Sequence, residues 1–158
     1  MDATYRIQDE PSPSGLSHVV VNPVWPLLAS MLAGAWLALP WFALNSFALG
    51  SATRRREWVL AAVTLPVAFL LLLGMGLLRA WEVVPPGAMP YLAVGLTVWK
   101  LTVAYQLFTL QQRSFALHEY YGGTVRNGMF VLLAGSFFGR TAVGELLGQG
   151  LWALLLVG

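Results

Sequence analysis

The sequence predicts an all-α fold: a polytopic membrane protein whose four transmembrane helices form one bundle. Of its 158 residues, 58% are hydrophobic and 10% are charged, whereas soluble domains average about 45–50% apolar and about 25% charged residues. The mean hydropathy is +0.68, and the apolar residues are gathered into four long runs. Because too little charge remains to cover a water-facing surface, the composition indicates lipid as the solvent and argues against a soluble globular monomer.

Residues 1–22 precede the first apolar run and are predicted to form a polar, flexible tail, followed by a single membrane domain over residues 23–158. The stretch from Pro11 to Gly15 contains only proline, serine and glycine, a composition that cannot build a packed core. The first twenty residues lack the apolar stretch of a cleavable signal peptide, so we expect the first span itself to direct insertion.

The first apolar run, about residues 25–49, is interpreted as a single span. About 20 residues cross a hydrocarbon core of about 30 Å, so this run is long enough for one crossing and too short for two. Pro40 lies inside the run, and neighbouring helices in lipid make such a kink tolerable. Gly50 is predicted to end the helix, as glycine commonly does at helix C-termini.

Spans two and three are predicted at about residues 57–78 and 91–110. Thr53 is placed to cap span two, and Glu57 falls in its first turn, where an acidic side chain suits the helix dipole. The segment Pro85–Gly87 is a strong turn signal between the two spans.

The last apolar run follows a polar segment over 111–127 and extends over about residues 128–157. As one helix it would be roughly 45 Å long, which exceeds the hydrocarbon core. The helix must therefore tilt, extend into water or break, and we expect a break within 140–150.

The arginines in the loops predict the orientation of the chain. Five of them lie in the loops after spans one and three: Arg54, Arg55, Arg56, Arg113 and Arg126. Arg6 and Arg79 fall on the opposite side. Because cytoplasmic loops carry an excess of Lys and Arg, both arginine-bearing loops are predicted to be cytoplasmic, in a bacterial inner membrane, with both termini outside the cytoplasm. A last segment lying on the membrane surface would change the prediction for the C-terminus.

Three ionisable residues fall inside the predicted spans: Lys100, Arg140 and Glu145. Each costs at least about 2.5–3.5 kcal/mol at a helix centre, so such residues are functional candidates. Lys100 and Glu145 fall at similar depth on antiparallel spans and are predicted to pair, whereas Arg140 lies about 140° around the helix from Glu145. Three interpretations stay open: a proton, ion or polar-substrate site, an ion pair that holds helices together, or charges that are exposed because span four breaks there.

Five glycines in the last run are predicted to pack helices: Gly128, Gly135, Gly139, Gly144 and Gly148. Gly135 with Gly139, and Gly144 with Gly148, have the small-xxx-small spacing that lets helix backbones approach in lipid. On a straight helix the two pairs lie roughly opposite each other. Gly144 follows Gly135 by nine residues, which places it about 180° around the helix axis. Such a helix could pack on two neighbours, either in other subunits or within the chain.

The triplet Arg54, Arg55 and Arg56, followed by Trp58, suits anionic lipid headgroups. Each basic residue near the membrane surface contributes about 1 kcal/mol. Membrane lipids are therefore predicted partners, although the same triplet is also an ordinary topology signal.

Motifs for catalysis, cofactors and metals are missing from the sequence. Cysteine is absent, which excludes disulfides, thiolate metal sites and cysteine nucleophiles. His118 and Glu119 begin like the zinc-protease motif H-E-x-x-H, but Gly122 stands at the second histidine position. The basic residues are few and scattered apart from one triplet, unlike a nucleic-acid-binding stripe. We therefore expect no enzyme activity, no cofactor, no metal and no nucleic-acid partner.

The sequence favours a structural, scaffold or assembly subunit of a membrane complex, which associates through its helices with copies of itself or with other membrane subunits. The alternative is a small oligomeric channel or transporter, with a polar path near Lys100 and Glu145 that Gln106 and Gln111 extend. A membrane enzyme without a familiar motif is the third hypothesis. The small loops, the glycine pattern and the missing site chemistry favour the first.

Overall fold

The computed structural model describes residues 15–83 and 85–147, and the described chain is helical. Its α-helices are α1 (Val24–Leu32), α2 (Ala35–Ala48), α3 (Arg54–Ala80), α4 (Met89–Tyr120), α5 (Met129–Ala134) and α6 (Arg140–Leu147). Short 3-10 turns cover Ser17–Val19 and Pro86–Ala88, and a π-helical segment, Gly135–Gly139, joins α5 to α6. These elements confirm the predicted all-α class.

Two helical stretches are long and apolar enough to cross a membrane: Arg54–Ala80 in α3 and Ala93–Tyr120 in α4. α3 has 27 residues, which corresponds to about 40 Å at 1.5 Å per residue and exceeds a hydrocarbon core of about 30 Å. A bundle of four spans is not confirmed, since the first apolar run forms two shorter helices.

The first apolar run is a helical hairpin. The backbone N–H of Val21, just before α1, donates to Asn45 Oδ1 near the end of α2 at 3.0 Å, and Ala29 and Ala38 lie in one buried cluster. α1 and α2 are therefore antiparallel and pack along each other. This arrangement differs from the single kinked span predicted over 25–49, because helices of 9 and 14 residues can enter an apolar layer and return without crossing it.

The chain reverses at Gly34. Its backbone has φ 103° and ψ 179°, a region that is essentially restricted to glycine. The N–H of Gly34 donates to the carbonyl of Ala29 at 2.9 Å and closes α1, while its own carbonyl accepts from the N–H of Ala38 at 3.2 Å and opens α2. Pro40, the expected kink, lies inside α2 without ending it. The sequence signal for the reversal is therefore Gly34 rather than Pro40.

The hairpin places the N-terminal segment beside the arginine-bearing loops. The carbonyl of Val20 accepts from the N–H of Arg126 at 2.7 Å, and Arg126 Nε donates to the carbonyl of His18 at 3.3 Å. A single crossing over the first run would put these two segments on opposite sides of the membrane, whereas the structure brings residues 15–22 to Arg126. The predicted position of the N-terminus itself falls on residues 1–14, which lie outside the described residues.

We call this end of the molecule the arginine end. It is formed by residues 15–22, the loop between α2 and α3, the C-terminal part of α4 and the segment from Tyr121 to Gly128. The loop between α3 and α4 lies at the opposite end, since α3 and α4 are long helices that pack against each other.

α4 continues beyond the predicted end of span three, residue 110, to Tyr120. Buried residues recur at helical spacing through this stretch: Leu107, Gln111, Ser114 and Phe115. Phe115 packs against Val20 and Leu49. Because this buried face holds the helix in place, about half of the segment predicted as a polar loop, 111–127, is helical.

The last described stretch packs on the hairpin and contains the π-helical segment Gly135–Gly139. Such a segment widens the helical turn locally. The break expected within 140–150 is not seen up to Leu147, since α6 begins at Arg140 and continues to that residue. Residues 148–158, with Gly148 and the predicted end of span four, lie outside the described residues.

Small residues bring three helices together in the main core. Ala35, Ala61 and Ala104 contribute from α2, α3 and α4, around Phe42 and Leu107, which are both fully buried. In lipid, helices gain little from apolar burial against each other, and van der Waals packing is a main source of their association. The alanines allow the close approach that this packing needs.

We predict that Gly34→Ala destabilises the protein by about 1–3 kcal/mol, the cost of holding another residue in a glycine-only backbone region. The measurement is the free energy of unfolding in mild detergent, titrated with a denaturing detergent. Gly95→Ala is the control, because a Cβ at Gly95, inside α4, meets nothing within 4 Å, and alanine is favoured over glycine in helices by about 0.5–1 kcal/mol. Equal stability of the two variants would contradict the role of Gly34 as the turn.

Candidate functional site

The interior of the arginine end contains polar side chains that hydrogen-bond to one another. We call this group the polar cluster, and its members are Asn45, Ser51, Thr53, Glu57, Gln111 and Ser114. They come from α2, the loop after it, α3 and α4. All except Thr53 are buried. The polar cluster therefore joins three helices at the end where most of the arginines lie.

The turn after α2 positions Ser51. Gly50 has φ 60°, and the N–H of Ser51 donates to the carbonyl of Ser46 at 3.1 Å, which is the hydrogen bond of a Schellman C-cap. This geometry confirms the prediction that Gly50 ends the helix. It also brings the hydroxyl of Ser51 to the first turn of α3.

The carboxylate of Glu57 lies at the centre of the polar cluster, and this side chain is 1% exposed. Its Oε1 accepts from Ser51 Oγ at 2.5 Å and from Thr53 Oγ1 at 2.7 Å, and its Oε2 accepts from Gln111 Nε2 at 2.8 Å. Thr53 stands at the N-cap of α3 without a side-chain cap hydrogen bond; its hydroxyl donates to Glu57 instead. Both carboxylate oxygens are bonded, and hydrogen bonds to a charged group are the stronger kind.

Gln111 connects α4 to both neighbouring helices. Its side chain is fully buried, and Nε2 donates to Glu57 Oε2 and, at 2.6 Å, to the backbone carbonyl of Phe42. Its Oε1 accepts from Asn45 Nδ2 at 3.0 Å. Since a glutamine amide has two N–H donors and one carbonyl, every polar group of this side chain is bonded.

Asn45 connects the polar cluster to the N-terminal segment. The residue is 2% exposed, and its Oδ1 accepts from the N–H of Val21. Both ends of the Asn45 amide therefore have protein partners, since its Nδ2 donates to Gln111 Oε1. On the other side of the polar cluster, Ser114 Oγ donates to Ser51 Oγ at 3.3 Å.

The polar cluster is closed, because its buried groups have protein partners. A polar group left unpaired in an apolar interior costs several kcal/mol. In the part of the chain that the structure describes, the one buried side-chain atom without a hydrogen bond is Ser136 Oγ, which lies outside the polar cluster. The arrangement therefore holds the three helices together.

Sequence reasoning missed Ser51 as an interior residue and assigned Glu57 only to the helix dipole. One local signal was available: Ser51 and Thr53 precede a glutamate in the first turn of a helix, which resembles the side-chain pairing of a capping box. The second signal is that Gln111 continues the apolar face of α4 at a spacing of four residues from Leu107.

The ionisable residues predicted inside the spans lie outside the polar cluster. Lys100 is buried on α4 and has an interaction partner, and it lies about 16 Å along the helix from Gln111. Arg140 is the first residue of α6, and Glu145 is exposed further along the same helix. The pairing of Lys100 with Glu145 stays a prediction. Within residues 15–83 and 85–147, no group of three or more His, Asp or Glu side chains could hold a metal ion.

Three of the predicted packing glycines face the hairpin. A Cβ on Gly128 would lie 2.6 Å from Trp25 Cγ. A Cβ on Gly135 would overlap Leu37, and one on Gly139 would overlap the ring of Trp36. The helix therefore approaches the hairpin closely along this face, within one chain. Gly144, another of the predicted packing glycines, belongs to α6, and its packing role stays a prediction.

The arginine triplet forms the exposed first turn of α3. Cζ of Arg54 lies 5.0 Å from the centroid of the Phe47 ring, within the range of a cation–π contact. The Phe47 ring in turn contacts Trp58 edge to face, with centroids 5.1 Å apart. This pairing of arginine with aromatic rings is typical of the headgroup region, and lipid contact by Arg55 and Arg56 stays a prediction.

Comparisons with protein-family models, with curated proteins and with solved structures found no match. The function of this chain is therefore inferred from the arrangement of its side chains.

We predict that Gln111→Leu destabilises the protein by at least about 1–3 kcal/mol, the cost of leaving a buried hydrogen-bonding group unpaired. The variant strands Glu57 Oε2 and Asn45 Nδ2, and the free energy of unfolding in detergent measures the loss. Gln112→Leu is the matched control, since Gln112 is exposed on the same helix, and surface substitutions usually change stability by less than about 0.5 kcal/mol. Equal losses in the two variants would show that the polar cluster contributes nothing specific.

Proposed function

We propose that this chain is a multi-pass protein of the bacterial inner membrane that serves as a structural or assembly subunit, acting through helix–helix contacts. The observation that carries the proposal is the closed polar cluster. Because its hydrogen bonds join α2, α3 and α4 into one body, the subunit offers its partners a rigid surface. The buried side-chain groups of the polar cluster all have hydrogen-bond partners among the described residues, as suits a structural element.

The outer faces of α3 and α4 are the proposed contact surfaces. Large apolar side chains on them are exposed: Val59, Val63, Leu70, Leu71 and Leu77 on α3, and Val94, Val98 and Tyr105 on α4. Lipid or a partner helix can cover such a surface at no desolvation cost. The glycine face with Gly128, Gly135 and Gly139 is already used within the chain, and the face with Gly144 and Gly148 stays a prediction.

Three glycines of α3 and α4 favour contact with another helix. A Cβ on Gly74, Gly76 or Gly95 would meet nothing within 4 Å. Among the described residues these positions therefore stay open, whereas side chains of the hairpin occupy the space beside Gly128, Gly135 and Gly139. Open glycines permit the close backbone approach on which helix association in lipid relies.

The alternative, an oligomeric channel or transporter, has less support. Its predicted path runs through Lys100, Glu145, Gln106 and Gln111, and Gln111 is bonded on all of its polar groups. A path through this residue would require the polar cluster to open. Lys100, buried within α4, is the observation that favours the alternative.

The proposed orientation puts the arginine end in the cytoplasm. The positive-inside rule supports it, since Arg54, Arg55, Arg56, Arg113 and Arg126 all belong to this end. Residues 15–22 bind Arg126 and Asn45 at the same end, so this proposal also puts them in the cytoplasm. A single crossing by residues 25–49 would put the N-terminal segment outside the cytoplasm, and the proposed orientation replaces that expectation.

Cysteine labelling in intact cells and in inverted vesicles tests the orientation, because the protein has no native cysteine. We predict that Ser17→Cys and Ala52→Cys react with an impermeant reagent only from the cytoplasmic side. Gly87→Cys, in the loop between α3 and α4, should react only from outside. All three positions are exposed. Reaction of Ser17→Cys from the same side as Gly87→Cys would overturn the hairpin topology.

Oxidative crosslinking in native membranes tests association. Cysteines placed in turn at exposed positions along α3 and α4, beginning with Leu70 and Val98, should give disulfide-linked dimers or heavier adducts at one helical face. Ala68→Cys is the control, since Ala68 is fully buried on α3 and should give none. If no position on either helix yields an adduct, and the extracted protein is a monomer without other subunits, the assembly role is wrong.

A further inference from the structure

A groove runs along the hairpin on its outer side. It has a volume of about 320 Å³ and is bounded by α2 through Leu37, Trp41, Leu44 and Ala48, with Val19 and Val131 on the other walls. Leu37 to Ala48 spans about 16 Å along the helix. The groove therefore extends from near the start of α2 to the arginine end. Its volume is at the lower limit of the roughly 300–1,000 Å³ of small-molecule sites.

The groove is apolar and open at its side. Leu44 is 62% exposed and Val131 is 50% exposed, so apolar surface remains uncovered after the chain has folded. Asn45 is the polar residue in the lining, and its amide is bonded to Val21 and Gln111. The chemistry that fits such a wall is a hydrocarbon chain.

A cation, Arg126, lies beside the end of the groove where Val19 contributes to its wall. The residues on either side of Val19 both bind Arg126: the Nε of Arg126 donates to the carbonyl of His18, and its backbone N–H donates to the carbonyl of Val20. Arg126 is exposed. A guanidinium has five N–H donors, and the bond to His18 takes one of them, so donors remain for an anion. Arginine forks of this kind bind phosphate oxygens well.

We propose that the groove binds one phospholipid of the cytoplasmic leaflet, with an acyl chain along α2 and an anionic headgroup on Arg126. The inference rests on the proposed membrane location and orientation. Charge complementarity selects the occupant, because an apolar groove with Arg126 beside its end matches a molecule that has a hydrocarbon chain below a phosphate. Arg54, held over Phe47 one turn beyond Leu44 on α2, adds a second cation near the same end.

The experiment uses the full chain in bilayer nanodiscs of equal parts phosphatidylglycerol and phosphatidylcholine. After release into mild detergent, native mass spectrometry counts the phospholipids that remain bound and identifies their class. The wild type should retain one phospholipid, with phosphatidylglycerol in excess. Arg126→Gln preserves the backbone bond to Val20 and should lower that excess about fivefold, the equivalent of one arginine at a membrane surface. Arg79→Gln, an exposed arginine at the opposite end, should leave it unchanged.

Two further variants fill the groove from opposite walls. Leu44→Trp and Val131→Trp should each reduce retention of both phospholipids at least about fivefold, and their exposed positions allow the larger ring without disturbing the core. Val94→Trp, at an exposed site on α4, is the matched control and should retain lipid like the wild type.

Three results would overturn the proposal. Unchanged retention in both groove variants would show that lipid binds elsewhere, and equal behaviour of Arg126→Gln and Arg79→Gln would remove the headgroup site. A change of subunit number with constant lipid count in Leu44→Trp would identify a protein helix as the occupant. The assembly role is tested separately by crosslinking on α3 and α4, so lipid retention in a chain that forms no adducts would leave this proposal standing.

Discussion

The hydrogen bond from Gln111 Nε2 to Glu57 Oε2 is the contact on which the arrangement of the helices depends. It joins α3 to α4, and the same glutamine binds α2 through Asn45 and the carbonyl of Phe42. Apolar burial offers little driving force between helices in lipid, and apolar contacts have no direction. The hydrogen bonds of the carboxylate and the amide are directional and therefore fix the register of the helices. If the register changed, each group would be left unpaired at a cost of several kcal/mol.

The hairpin follows from the same need to satisfy polar groups away from water. The start of α1 has N–H groups without helical partners, and each is accounted for locally: Asn22 accepts from Val24 and Trp25, and Pro26 has no N–H to satisfy. Val21, one residue earlier, donates to Asn45. The amide that holds α2 to α4 thus also secures the entry of the chain, and Gly34 allows the return.

Local patterns predicted the helices and failed on their long-range contacts. The apolar runs gave the all-α class and placed α3 close to its observed bounds, because hydropathy and length are properties of one segment. The first apolar run was interpreted as one span, although its length fits either one span or a short hairpin. Only Gly34 distinguishes these two arrangements in the sequence. Glu57 follows three arginines and resembles a surface residue; its burial depends on Gln111, 54 residues away, which no local pattern records. Lys100 was identified as a functional candidate because a cation within an apolar run can be recognised from the sequence alone.

Asn45 and its hydrogen-bond partner Gln111 leave the ribosome at different times, and this delay has a consequence for biogenesis. Asn45 and Gln111 are 66 residues apart, so at about 5–20 residues per second the amide of Asn45 emerges roughly 3–13 s before its partner. During that interval the hairpin has neither α3 nor α4 to pack on, and its buried face is open to the translocon, to lipid or to a chaperone. In the proposed membrane location, the hairpin can therefore complete its packing only after α4 has been inserted. The final arrangement of the N-terminal third of the protein would then depend on the synthesis of its middle.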